Sequence, residues 1–166
     1  EFLPLAKKYG AAILCLPIAS DVPRTAPERV AIIKTIINAA KKIGLTDTDF
    51  LLDALVMTVA ADEIAATETM QTLKAYREEF GYPSTMGLSN ISYGLPNRPL
   101  MNSIFFAMNL ACGLDAPIIN PYDKTMQDVL LTSSALLGYD KNAKEYSLTE
   151  ANVETVVATP TSPDTD

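Results

Sequence analysis

Four short apolar runs, separated each time by a stretch with a helical stripe, constrain this chain more than any other feature. The runs fall at residues 11–18 (AAILCLPI), 50–59 (FLLDALVMTV), 84–89 (STMGLS) and 116–120 (APIIN), and each reads as a buried strand. Between the first two, Thr25-Ala26-Pro27-Glu28 supplies a capping box, and Val30, Ile33, Ile37 and Ala40 carry a helical stripe to Gly44. A second helix is predicted over 64–80, closed by Gly81, and a third over 98–112, stopped by Gly113. Asp123 caps a last helix whose inner stripe is Met126, Val129, Leu130, Ser133 and Leu137, ending at Gly138. Part of a further helix precedes the first run. Near-continuous apolar strands alternating with helices imply a parallel sheet covered on its helical side. Strand starts recur at roughly 30–40 residues, the size of one βα unit. The fold class is therefore α/β, with about four βα units over residues 1–150. Residues 151–166 change to Thr, Pro, Asp and Val without a stripe and read as a linker or disordered tail.

Composition removes several function classes. The net charge of −7 argues against nucleic acid, which needs a basic face. No apolar run reaches the ~20 residues of a membrane span, so no membrane partner is expected. Cys15 and Cys112 lie in apolar runs and read as small buried hydrophobes, and with no histidine a metal site is not expected. A cytoplasmic location follows as the default. Any proton transfer must rely on carboxylates, amides or a bound cofactor.

Gly87-Leu88-Ser89-Asn90-Ile91-Ser92-Tyr93-Gly94-Leu95-Pro96-Asn97-Arg98 carries the chemistry. A strand that stops at Asn and opens into a Gly/Pro loop sets an amide at the carboxyl end of the sheet, where α/β folds bind ligands. An amide both donates and accepts, which suits a ring bearing both functions. Asn90 capping an ordinary turn is the plain alternative. Asp53, inside an otherwise apolar run, is costly unless bonded or paired, and reads either as bonded to neighbouring backbone or as a ligand anchor.

This string resembles GLSN-[IV]-S-[FY]-G-L-P-x-R of the pterin-binding domain of cobalamin-dependent methionine synthases and related corrinoid methyltransferases. Further resemblances keep the family's order. Leu5-Ala6-Lys7-Lys8-Tyr9-Gly10 is similar to the end of its fourth helix, and Val22 to Arg29 to its strand-five loop, with Asp21 where Gly is common. Leu52-Asp53-Ala54-Leu55-Val56 resembles the D-x-L-V strand, and Gly113-Leu114-Asp115 with Ile118-Ile119-Asn120-Pro121 the entry to strand eight. Ala135 to Asp140 is similar to the last helix. The resemblance implies the carboxyl-terminal half of a TIM-barrel-type pterin-binding (β/α)8 barrel. It implies methyltetrahydrofolate as substrate and cobalamin or another corrinoid, on a partner domain or protein, as methyl acceptor. It also implies Asp53 on the pterin's 2-amino-pyrimidine edge, Asn90 as the catalytic amide near N5, and Arg98 at the same mouth. By position, Ser89 beside Asn90 and Asn120 at the end of the fourth run read as further binding residues, with turn closure the alternative for Ser89 and capping of the Pro121-Tyr122 turn the favoured one for Asn120. The missing barrel half, or a second copy, is the expected protein partner. Two alternatives stay open: a non-catalytic half-barrel that assembles with another chain, and, ranked lower, a dihydropteroate synthase-like enzyme. The second lacks support at Ile118-Ile119-Asn120-Pro121, where a Ser-x-Arg phosphate site belongs.

Overall fold

The four apolar runs become four parallel strands in sequence order, β1-β2-β3-β4. The computed structural model describes residues 2–150, and the tail expected over 151–166 lies outside the described residues. The elements are α1 (Phe2–Tyr9), β1 (Ile13–Cys15), α2 (Ala26–Lys42), β2 (Phe50–Asp53) and α3 (Ala65–Glu79). There follow β3 (Ser84–Gly87), α4 (Arg98–Ala111), β4 (Ala116–Ile118), α5 (Lys124–Leu136) and α6 (Lys144–Glu150). These are four consecutive βα units, the content of half a (β/α)8 barrel. The local signals at the helix starts work as read: the Thr25 N–H donates to the Glu28 carboxylate at 2.9 Å, and Asp123 Oδ1 accepts from the Thr125 N–H at 3.0 Å. Among the described residues no helix is long and apolar enough to cross a membrane.

Strand parity decides what each residue faces. Phe50 and Leu52 pack into one core cluster with Cys15 of β1, Ile33, Ile37 and Ala40 of α2, and Tyr76 of α3. Each large apolar side chain buried there contributes about 1.5–3 kcal/mol. Burial pushes the Cys15 thiol up to about 11, which keeps it a neutral packing group. Met86 faces the helices too, in a second cluster with Ala54, Leu73, Phe105 and Phe106. The register pairs Leu14 with Leu51, Asp53 with Thr85, and Gly87 with Ile118. Side chains alternate along a strand and paired residues share a face. Leu14, Leu51, Asp53, Thr85, Gly87 and Ile118 therefore share the face away from the helices. A one-residue slip of β2 would drive Asp53 into the apolar helix layer and expose Leu52, so burial of Phe50 and Leu52 fixes the carboxylate's direction.

All four strands are shorter than their apolar runs. The expected strand 50–59 ends at Asp53, because Asp53 Oδ1 takes the Leu55 N–H at 2.8 Å and Leu55 adopts a left-handed φ of 56°. The expected strand 84–89 ends at Gly87 and tightens into a 3-10 turn, Leu88–Ser92. Pro17, which has no N–H, lies beyond the end of β1. The inner stripe of α5 is also narrower than its pattern: Met126 and Ser133 are buried, whereas Leu130 and Leu137 are exposed. Met108, at core spacing in the sequence, is exposed on α4.

Candidate functional site

The carboxyl ends of the strands are held by a buried arginine. Arg29 lies on the same α2 face as Ile33 and Ile37 and is 1% exposed. Its guanidinium donates to the backbone oxygens of Ala54 at 3.1 Å, Arg24 at 3.3 Å and Pro23 at 3.5 Å. It also reaches the hydroxyls of Thr72 and Thr69 at 3.4 and 3.5 Å. Burial lowers its pKa, opposed by Tyr76, Glu68, Asp62 and Glu28, and an arginine still stays a cation. Its forked donors thus tie the loop after β1 to the loop after β2, a geometry lysine cannot reproduce. Above it, Arg24 pairs with Asp62 through two contacts of 2.9 and 2.7 Å, so Asp62 is part of a rim clamp.

Asp53, the last residue of β2, sits within this frame. The Tyr76 hydroxyl donates to its backbone oxygen at 3.1 Å, and the Ala54 N–H donates to Thr85 O at 2.9 Å. The residue is 9% exposed, and its carboxylate aims at the face away from the helices and accepts one backbone N–H. Burial raises its pKa and the Leu55 N–H partly offsets the rise. The left-handed Leu55 is a costly backbone state for a bulky residue, held by this contact and by the anchored Ala54 carbonyl.

The 3-10 turn after β3 carries Ser89 and Asn90, both exposed. Gly87 is what lets Asn90 lie back over the sheet: a Cβ at Gly87 would sit 3.1 Å from Asn90 Nδ2. Gly87 follows Thr85 by one pleat repeat on the same face, and Thr85 pairs with Asp53. From strand spacing and rise, the Gly87 and Asp53 backbones are about 8 Å apart across that face. Asp53 and Asn90 thus flank one open surface. Arg98 grips the turn itself: Nε donates to Ser92 Oγ at 3.0 Å and Nη2 to Ser89 O at 2.9 Å. Ser92, fully buried, donates to Asn102 Oδ1 at 2.7 Å and has Ser89 O within reach at 3.3 Å. At β4, Asn120 Oδ1 accepts the Tyr122 N–H at 3.0 Å and closes a turn there. Ser89, Asn102 and Asn120 line a cleft of about 280 Å³ between the two loops. A larger cleft, of about 780 Å³ between α5 and α6, lies elsewhere and touches none of these residues.

Of the residues read from the sequence, Asp53 ends β2, Ser89 and Asn90 follow β3, Arg98 opens α4 and reaches back to that turn, and Asn120 follows β4. Arg29, Asn102 and the Leu55 kink were not singled out. Arg29 did carry a signal, since it stands four and eight residues before Ile33 and Ile37 on the buried stripe.

Among families of known proteins, the one described as pterin binding enzyme matches residues 1–120. The methylcorrinoid:tetrahydrofolate methyltransferase of Eubacterium limosum is 33% identical over 131 residues, covering 77% of this chain and 48% of that protein. Methionine synthase of Mycobacterium tuberculosis is 30% identical over 158 residues, covering 87% of this chain and 13% of that protein. The methionine synthase of Mycobacterium leprae is 32% identical over 127 residues, 71% of this chain and 10% of the relative. The chain spans about half the length of the first of these and a small part of the other two.

Proposed function

Because this chain belongs to the pterin-binding enzyme family, we propose that it forms the carboxyl-terminal half of a methyltetrahydrofolate-binding barrel in a corrinoid-dependent methyltransferase. One observation carries the reading: Asp53 and Asn90 share the open face at the strand carboxyl ends, in the two strings that resemble the methyltransferases. Asp53 accepts the two adjacent N–H groups of the pterin's 2-amino-pyrimidine edge, as an ionised carboxylate can. Asn90 faces N5. Breaking the N5–methyl bond leaves negative charge on nitrogen, so N5 must gain a proton or a strong hydrogen bond on the way. An amide is too weak an acid to supply that proton. It holds the protonated N5 and orients the water that delivers it. Arg98 and Ser92 stiffen the turn so that the amide is placed before substrate arrives. A Co(I) corrinoid on another domain or protein supplies the nucleophile. With no histidine in the chain, nothing here offers an imidazole to a corrinoid cobalt, in keeping with that division of labour.

The barrel half on this chain holds a share of the polar groups a closed pterin pocket needs. Titration calorimetry with 5-methyltetrahydrofolate should therefore show weak or no binding by the chain alone. Adding a complementary amino-terminal half should strengthen it, and Asn90→Ala should weaken it by roughly tenfold or more. Tight binding by a proven monomer that ignores Asn90→Ala would refute the site.

A further inference from the structure

The Ala54–Leu55 peptide is held from both faces of the sheet. On the helix side, buried Arg29 donates from Nη1 to the Ala54 carbonyl at 3.1 Å. A trans peptide is planar, so its C=O and N–H point in opposite directions. With the carbonyl turned to the helix layer, the Leu55 N–H turns to the other face, where Asp53 Oδ1 accepts it at 2.8 Å. This orientation has a backbone cost, because the bulky Leu55 takes a φ of 56°. Turning the peptide over would return Leu55 to the extended region. It would also aim the Ala54 carbonyl at the face that holds the Asp53 carboxylate and carry the N–H away from it. Arg29 opposes that turn, and its other donors, on Pro23 O, Arg24 O and the hydroxyls of Thr69 and Thr72, keep the guanidinium from swinging aside.

We propose that Arg29 is a positioning residue for the ligand anchor: by holding the Ala54 carbonyl it keeps the Leu55 N–H on Asp53 and so presets the carboxylate that receives the pterin. This rests on the pterin reading above and adds to it a residue that touches no ligand. The Leu55 N–H uses one lone pair of Oδ1, which leaves Oδ2 and the rest of the carboxylate for the paired N–H groups of the ring. A carboxylate fixed before the ligand arrives loses less freedom on binding. Arg29 acts here through the peptide plane and not through its charge, since burial and the Leu55 N–H are what set the proton affinity of Asp53. A lysine would bring the same charge on a single point donor, which cannot hold Ala54, Arg24 and Pro23 together.

The test reads amide hydrogen exchange by NMR on the ligand-free full chain, and affinity for 5-methyltetrahydrofolate by titration calorimetry with the complementary amino-terminal half added. The neighbouring Ala54 N–H, bonded to Thr85 O at 2.9 Å, is the internal control. Arg29→Lys should speed exchange at Leu55 by about tenfold or more, as Asp53→Ala does, and leave Ala54 protected. A general loss of stability would speed both. Arg29→Lys should also weaken folate by about tenfold in the parent background and cost nothing further beside Asp53→Ala. Should Arg29→Lys fail to fold, Leu55→Ile decides. It keeps the volume of the side chain and leaves Arg29 in place, but a β-branched residue resists the left-handed state, so Leu55 protection and folate affinity should fall together. Leu55 protection that survives Arg29→Lys, equal affinity losses in both backgrounds, or a Leu55→Ile variant that binds as the parent does overturns the positioning role. If the parent chain with its complementary half binds no folate, the pterin reading falls and the role at the ligand falls with it; the exchange result, read without ligand, separates the two failures.

Discussion

Asp53 is held in a place that suits a ligand better than it suits the fold. Its carboxylate is nearly buried, has one backbone N–H for company, and has its pKa raised by burial. The sign follows from linkage. A carboxyl whose folded pKa exceeds the unfolded one stabilises the fold fully below the unfolded value, and loses that contribution as pH rises through the folded value. Above the ordinary carboxylate range Asp53 therefore costs stability relative to its protonated form. Asp53→Asn keeps the oxygen that receives the Leu55 N–H, so thermal unfolding followed by circular dichroism should show it more stable than the parent at pH 7. The gap should shrink as pH falls towards the ordinary carboxylate range, about 4. The same substitution should cost roughly ten- to a hundredfold in pterin affinity, the loss of a charge-assisted pair of hydrogen bonds. A variant less stable than the parent at pH 7 would mean that Asp53 is a structural acceptor. Arg29 makes the opposite case, a charge that the fold itself uses. Its donors end on carbonyls of two loops that no local pattern connects, which is why a helical stripe hints at its burial and nothing hints at its partners.

The elements divide by how local their causes are. Thr25 with Glu28, and Asp123 with Thr125, start helices through contacts two to three residues apart, and such ends are legible. The strand ends are not. Apolar runs continue through Ala54, Leu55 and Val56 because those residues stay buried after β2 has stopped, so hydrophobicity cannot show where pairing ends. What ends it is the Asp53–Leu55 contact and the Arg29 anchor on Ala54. Likewise GLSN looks like strand up to its Asn, yet the 3-10 turn begins at Leu88, gripped by Arg98 from the next helix. The position of Asp53 and Asn90 at strand carboxyl ends was legible from their strings; the contacts of Arg98 with the turn were not, since they reach across from the next helix. Gly87 tests the turn as a unit. Its φ of −77° is open to any residue, so Gly87→Ala carries no backbone penalty. The added methyl would stand 3.1 Å from Asn90 Nδ2, so the amide must shift by a few tenths of an ångström to make room. Stability should change by less than about 1 kcal/mol. Pterin binding should fall several-fold in titration calorimetry with the complementary half added, and unchanged binding would show that the amide does not need that position.

At the scale of the whole molecule, the sheet is finished on one side and unfinished on the other. Helices cover one face, while the opposite face exposes Leu14 at 47% and Ile118 at 56%, with Leu16 and Ile18 beyond β1 at 40% and 43%. β1 and β4 end the sheet order, each with one edge unpaired among the described residues. Free parallel edges beside an apolar face recruit further strands. Closing the barrel would satisfy both at once: the edges pair, the face becomes an interior, and water leaves Asp53 and Asn90, strengthening the hydrogen bonds they offer a pterin. The chain alone should therefore associate with itself in a concentration-dependent way. Adding a four-strand amino-terminal half should convert those species to a one-to-one complex. Analytical ultracentrifugation across micromolar concentrations, with and without that half, measures both. Leu14→Lys with Ile118→Lys places charges on the face without touching the helical core, so it should block both kinds of association and leave the helical circular dichroism intact. A parent chain that stays monomeric throughout, and ignores the added half, would show that this face is not built to be covered.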